Sequence, residues 1–361
     1  MLKSEITTAN LTKMNSRRSF IKKAALASGL AVSSTQPIFG IISRKRDENP
    51  IIGHGAHKYK VDKNWGIQDP SQFPVKDCHE MVMDKNQRLI MTTTHPKNNI
   101  LIYDRSGKIL NAWGTDYPGA HGLTLIEEGE EEFLFITDPK SRKVCKTTLK
   151  GELLMTFNKP VEIREYQNSK KYKPTETAVA PNGDIYIADG YGMDFIIQYD
   201  SKGNYIRHFG GHGKGKDKFE CCHGITVDKR DSKNPTLLIT SRSANEFKRF
   251  TMDGQHIETI KLPGCYICRP VIKDDLIYFA VIITNNWDTY DGMIAVLDKN
   301  NKVISFPGGN KPNYLDGKLV PPVYDNMTFF NPHDVCLDND ENIYVPQWNS
   351  NKTYPLKLER I

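Results

Sequence analysis

Residues 175–211 read Thr-Glu-Thr-Ala-Val-Ala-Pro-Asn-Gly-Asp-Ile-Tyr-Ile-Ala-Asp-Gly-Tyr-Gly-Met-Asp-Phe-Ile-Ile-Gln-Tyr-Asp-Ser-Lys-Gly-Asn-Tyr-Ile-Arg-His-Phe-Gly-Gly, and the punctuation of this stretch decides the fold. Three turn signals, Pro181-Asn-Gly-Asp184, Asp189-Gly-Tyr-Gly192 and Asp200-Ser-Lys-Gly203, separate four runs rich in β-branched and aromatic residues. Such runs are strands, and Gly, Asn and Asp between them supply the turn conformations. One four-stranded unit of this size cannot bury both of its faces alone, so it needs neighbours of the same kind.

The chain supplies them. The same plan restarts at His79, His121 and His223, near Arg269, and at His333. Its last turn recurs as Tyr103-Asp-Arg-Ser-Gly107, Leu149-Lys-Gly151, Met252-Asp-Gly254 and Leu297-Asp-Lys-Asn300. Six starts predict an all-β, six-bladed β-propeller over residues 50–361, in which the first strand of each blade lines a central channel. The last unit is one strand short. Residues 56–66 resemble the outer-strand endings Leu110-Asn-Ala-Trp-Gly114 and Ile206-Arg-His-Phe-Gly210, so an N-terminal strand is expected to close the last blade and remove the exposed edges. The longer insertions 160–173 and 306–328 are read as loops on one face, where sites commonly lie.

Residues 1–40 read as a twin-arginine signal peptide and linker. Ser16-Arg-Arg-Ser-Phe-Ile-Lys22 precedes a weakly apolar stretch from Ala24 to Val32, too short to span a bilayer. The expected location is therefore periplasmic or secreted, reached through the twin-arginine export machinery, with no membrane association after signal removal. These forty residues hold six Lys or Arg and one acid, which leaves 43 basic against 42 acidic residues in the remainder. The formal charge of +6 thus resides almost wholly in the signal, and nothing argues for nucleic acid. Seven cysteines match no disulfide framework, and the pair Cys265-x-x-Cys268 reads as a thiol pair, a metal half-site, or a buried or disulfide-bonded pair.

Three of the six starts carry a histidine on alternate blades: His121 on the second, His223 on the fourth and His333 on the sixth. Alternate blades of a six-fold ring lie about 120° apart, so these imidazoles are expected to converge as a tripod with one open position. That is the donor set of a catalytic zinc site, or of iron or manganese. His79, on the first blade, is a further inward histidine able to close the shell. Asp334, beside the third histidine, is either an acceptor that orients an imidazole or a ligand of a separate hard cation.

These residues also carry a family resemblance. From about residue 75 to the C-terminus the chain resembles the NHL-repeat six-bladed propellers, and among them the peptidyl-α-hydroxyglycine α-amidating lyases. The likeness is sharpest in Lys173–Tyr191, in Phe330-Asn-Pro-His-Asp-Val335 and in the His-Gly segments. It implies catalytic zinc on His121, His223 and His333, a tyrosine base at Tyr191 and an arginine at Arg242 that holds substrate. It also implies a structural calcium on Asp334, with backbone carbonyls near Cys78 and Leu123. The chain departs from the pattern twice: Met91-Thr-Thr-Thr-His95 lacks the family's second arginine and offers His95 beside its place, and Gly192 replaces a cysteine.

The expected activity is thus that of a metal-dependent lyase on a hydroxylated small molecule, possible substrates being a peptide or a carbohydrate. His95 is carried as a second acid/base or an extra ligand, Tyr191 alternatively as a packing aromatic and Arg242 as a surface group. A hydroxy-acid or carbohydrate lyase, epimerase or hydrolase on the same site, and a non-enzymatic binding propeller, are the competing readings.

Overall fold

The computed structural model describes residues 49–167, 170–284, 290–324 and 328–361. The twin-arginine segment lies outside the described residues.

Among the described residues six antiparallel sheets of four or five strands follow one another along the chain, with one further two-stranded sheet. From the channel outward, the first blade is Cys78–Met83, Leu89–Thr93, Ile100–Tyr103 and Ile109–Trp113. The second is Leu123–Glu128, Glu131–Asp138, Lys143–Thr148 and Leu153–Phe157. The third is Glu176–Val179, Ile185–Ala188, Phe195–Tyr199 and Tyr205–Gly210, and the fourth Ile225–Asp228, Thr236–Ser241, Glu246–Phe250 and His256–Lys261. In the fifth, the long strand Leu276–Ile283 pairs on its inner side with two short pieces, Tyr266–Ile267 and Val271–Lys273, and outward with Met293–Leu297 and Val303–Ser305. Pro270 explains the break in that inner strand, because proline donates no ladder hydrogen bond.

The last blade takes strands from both ends of the chain. Cys336–Leu337, Ile343–Val345 and Leu356–Arg360 are followed by His57–Asp62, which pairs antiparallel with Leu356–Arg360, and Ile51–His54 adds a fifth strand. A recurring contact explains why residues 56–66 resemble other outer-strand endings. Trp113 at the end of the first blade lies against Gly151 of the second, and Phe209 of the third lies against Gly254 of the fourth. Trp65 lies against Gly107 of the first blade in the same way, with its indole donating to the Arg105 carbonyl at 3.0 Å.

Between blades the apolar faces pack into continuous clusters, such as Ile90, Ile100, Ile102, Leu134 and Ile136 between the first and second. Threonines tie the blades together near the channel. Thr92 donates to the His121 carbonyl at 3.1 Å, Thr137 to that of Thr175 at 2.9 Å, and Thr240 to that of Cys268 at 2.8 Å. Each bond reaches from a second strand to the start of the next blade, which fixes the residues that open the second, third and fifth blades. The two insertions differ. Residues 160–173 bring Ile163, Tyr166 and Tyr172 into the cluster between the second and third blades. Within the second insertion, Tyr314–Leu315 and Lys318–Leu319 form a small hairpin packed on the cluster of the fourth and fifth blades.

Candidate functional site

Two successive residues open each blade at the channel, and their equivalence is fixed by backbone pairing. His121, Thr175, Cys268 and His333 each donate their amide N–H to the facing carbonyl of the second strand, that of Thr137, Ala188, Ala280 and Pro346 respectively. In blade order the first tier is His79, His121, Thr175, His223, Cys268 and His333. The tier one residue on is Glu80, Gly122, Glu176, Gly224, Arg269 and Asp334.

The four histidines of the first tier are buried and in ring contact. Ring centroids lie 4.5 Å apart for His79 and His121, 4.7 Å for His79 and His333, 4.7 Å for His121 and His223, and 4.9 Å for His223 and His333. The compact donor trio is His79, His121 and His333, whose ligand atoms all lie within 4.8 Å of one another. His223 joins through His121, the two Nε2 atoms being 3.1 Å apart. The cluster therefore holds the expected tripod residues but draws His79 into the trio. The sixth, first and second blades are neighbours around the ring, and His223, from the fourth, meets the group at His121 Nε2 and the Tyr191 hydroxyl.

Burial holds all four imidazoles in the neutral form. It lowers His79 to about 3, with the Arg242 charge assisting, and places His121, His223 and His333 well below the ordinary value. Tautomers follow from partners, since a carbonyl can only accept. His121 Nδ1–H donates to the Thr175 carbonyl at 2.9 Å and His333 Nδ1–H to that of His79 at 3.0 Å, leaving Nε2 a lone pair in each. The Nδ1 atoms of His79 and His223 are buried without a partner, which an apolar or proton-only environment leaves unexplained. Neutral imidazoles with carbonyl-anchored Nδ1–H groups fit a borderline cation such as zinc. Three buried histidines can hold a metal here.

Tyr191 and Arg242 reach the same cluster from loops that follow the second strands of the third and fourth blades. The Tyr191 hydroxyl lies 3.0 Å from His223 Nε2, 3.2 Å from His121 Nε2 and 3.5 Å from the Arg242 guanidinium. The residue is 42% exposed and so forms part of the wall between channel and solvent. Burial of the hydroxyl pushes the phenol up, and Arg242 pulls it back. Asp189 shapes this loop by accepting from the Lys173 amide at 2.5 Å, the Met193 amide at 2.7 Å and the Tyr166 hydroxyl. The 160–173 insertion thus buttresses the tyrosine. A Cβ at Gly192 would lie 2.1 Å from the Asp189 carboxylate, so a cysteine there is incompatible with this loop.

Arg242 is 3% exposed. It donates to the Ile267 carbonyl at 3.0 Å and to Cys268 Sγ at 3.1 Å, and among the described residues no carboxylate pairs with it. The sequence reading missed Cys268 as its partner. The thiol is buried, raised to about 11 chiefly by that burial, and unpaired with Cys265; all seven cysteines are free.

His95 does not join the group. It lies in the corresponding loop of the first blade, where its Nδ1 accepts the Lys97 amide at 3.2 Å. Partial burial and the nearby Lys97, Lys352 and Lys76 hold its imidazole below the ordinary value. Among the described contacts it touches none of the four histidines, Tyr191 or Arg242. The turn Thr94–Asn98, closed by the Asn98 amide on the His95 carbonyl at 3.2 Å, keeps it at the rim.

Asp334 faces the second tier instead. Its carboxylate accepts from Arg269 at 2.6 and 3.2 Å and from the Met81 amide at 3.0 Å. Burial, opposed by Arg269, raises it to about 6, and burial raises Glu80 well above its usual range. The same guanidinium pairs with Glu80 and Glu176 and donates to the Leu123 and Met81 carbonyls. The position expected for a calcium ion on Asp334 and the carbonyls near Leu123 is therefore filled by Arg269, and the residues do not fit calcium there. The two tiers open to opposite ends. A cavity of about 670 Å³ beside His79, His121 and Tyr191 is walled by Trp348, Pro118 and Lys140, whereas Arg269 borders one of about 550 Å³ with Met81, Leu125 and Val335.

Comparison with known proteins agrees with this architecture. Residues 176–311 match DUF5128, a 6-bladed beta-propeller family. The chain is 32% identical over 268 residues to peptidyl-alpha-hydroxyglycine alpha-amidating lyase 1 of Drosophila melanogaster, covering 68% of this chain and 46% of that protein. It is 25% identical over 191 residues to the human NHL repeat-containing protein 3, covering 45% of this chain and 55% of that one. The chain is thus similar in sequence to NHL-repeat propellers and amidating lyases. It spans about half the length of these two relatives. The structure of virginiamycin B lyase from Staphylococcus aureus superposes with a TM-score of 0.55 at 17% identity, over 84% of this chain and 100% of that one, which speaks to the fold alone.

Proposed function

We propose that the protein is a metal-dependent lyase of a small, hydroxylated, anionic molecule, exported by the twin-arginine route and working at the imidazole tier. The observation that carries this is a buried guanidinium without a carboxylate, Arg242, beside four neutral imidazoles and a phenol. An uncompensated buried charge is costly to hold, by several kcal/mol, and has no evident packing role here. An anionic substrate group entering from the cavity would compensate it, and a planar carboxylate matches the guanidinium fork.

His79, His121 and His333, with His223 alongside, would hold the metal, zinc being the first choice for neutral nitrogen donors and iron or manganese the alternatives. When bound, it would supply Lewis acidity toward a substrate oxygen. The protein's own groups do the rest. Arg242 fixes the carboxylate and so aims the neighbouring carbon at the histidines. Tyr191 takes the substrate's hydroxyl proton, a role that the adjacent guanidinium favours by stabilising phenolate. The O–H electron pair becomes the new carbonyl π bond, the bond from that carbon to its amide or other leaving group breaks, and the leaving group is protonated. Trp348 and Pro118 restrict water at the mouth.

The test uses an N-acyl-α-hydroxyglycine as probe, with glyoxylate release as readout. The zinc-loaded protein is expected to release glyoxylate and to carry close to one metal per chain, whereas His121→Ala loses both. Metal retained at full occupancy in His121→Ala, or a fully loaded wild type inert to the probe and to other α-hydroxy carboxylates, would contradict the proposal.

A further inference from the structure

The second tier is a buried ionic cage, and its composition is that of a site for a hard cation. Six oxygens surround the Arg269 guanidinium. Asp334 gives two at 2.6 and 3.2 Å, Glu80 one at 3.2 Å and Glu176 one at 3.8 Å, while the carbonyls of Leu123 and Met81 lie at 2.8 and 3.2 Å. No nitrogen or sulfur ligand is among them. Carboxylate and carbonyl oxygens converging from several directions are what calcium takes, six to eight at a time.

Arg269 fills the cage incompletely. Three buried carboxylates face one monovalent cation, and Glu80 Oε1 and Glu176 Oε2 stay buried without a hydrogen-bond donor. Glycines on the second and fourth blades leave space for the Arg269 backbone and for the Glu176 carboxylate. A Cβ at Gly224 would lie 2.6 Å from Arg269 Cα, and one at Gly122 would lie 2.9 Å from Glu176 Oε1. The donors come from the first, second, third and sixth blades, the arginine from the fifth, and the fourth yields its space. One side chain thus joins five of the six blades.

We propose that Arg269 is a resident cation occupying a cage able to hold a divalent ion, so that the protein binds no calcium as it stands and acquires an axial calcium site when the guanidinium is removed. The inference is independent of what the imidazole tier catalyses. It makes Arg269 the ring's built-in fastener, present whatever the divalent-cation concentration outside the cell.

The experiment compares the full-length wild type, Arg269→Met and Arg269→Lys, each with zinc saturating the histidines, so that added calcium reads only the oxygen cage. Calcium binding is measured by equilibrium dialysis and stability by thermal unfolding. The wild type and Arg269→Lys are expected to bind no calcium and to shift in Tm by less than about 1 °C. Arg269→Met is expected to lose roughly 5–10 °C through its unpaired buried carboxylates. It should then bind one calcium and recover about half of that loss at millimolar calcium. Stoichiometric calcium on the wild type, or a folded Arg269→Met that ignores calcium, would overturn the proposal. Should Arg269→Met not fold unaided, it is refolded from denaturant with and without calcium. Recovery only with calcium supports the cage, and failure in both overturns it.

Discussion

The two tiers of the channel stand one residue apart on every blade and handle burial in opposite ways. The lower tier gathers three carboxylates around its own cation, Arg269, which offsets part of their charge while burial raises Glu80 and Asp334, and glycines at the second and fourth blades leave it space. The upper tier gathers imidazoles that shed their charge on burial, and leaves its one guanidinium, Arg242, without a counter-charge. A cage already occupied by its own cation has no room for a ligand until that cation is removed. A tier with free lone pairs and a spare positive charge has unmet demand, and that difference assigns structure to one and chemistry to the other.

The comparison is broken most severely at Tyr191. Tyr191→Phe keeps the ring and the metal but removes the hydroxyl between His121 and His223, so kcat should fall by about 100- to 10,000-fold with metal content unchanged. Activity within threefold of wild type in steady-state assays would remove the proton-transfer role. Arg242→Met comes next. Because the charge is uncompensated, the variant should unfold no lower than wild type, while kcat/KM for a carboxylate substrate drops by about 100-fold, the loss expected for an unmade buried charge pair. A large fall in Tm would instead make Arg242 a structural member like Arg269. In the lower tier, Gly224→Ala forces a Cβ toward the Arg269 backbone and should destabilise by about 1–3 kcal/mol in denaturant unfolding, with metal content intact. The smallest effect belongs to His95→Ala, which should change neither stability by more than about 0.5 kcal/mol nor turnover measurably.

Much of this architecture is written in local sequence. Turn residues at fixed offsets, such as Asp200-Ser-Lys-Gly203, mark the blades because the strands between them have little other choice. The inward histidines are legible because each blade opens at an equivalent position, and Tyr191 because Asp189 and two glycines leave its loop one shape. Legibility ends where partners come from distant blades. That His79 joins the trio, and that His223 meets it at His121 Nε2 and the Tyr191 hydroxyl, is set by the closed ring and not by local sequence. Arg269 sits at a recognised start, yet Glu80 and Glu176 were unremarkable until the fold stacked them beneath the imidazoles. Repeat position alone could have flagged them, since Glu, Gly, Glu, Gly, Arg and Asp follow the six first-tier residues in order. His95 shows the opposite case: it stands beside a family position in sequence, yet its turn holds the side chain away from the axis.

The most direct test of the two-tier account is anomalous diffraction from crystals grown with zinc and calcium both present. The account predicts one zinc peak about 2.0–2.1 Å from the ligating nitrogens of His79, His121 and His333, and no peak at the level of Arg269. An empty imidazole cluster, or a calcium peak among Glu80, Glu176 and Asp334 with Arg269 displaced, would contradict it.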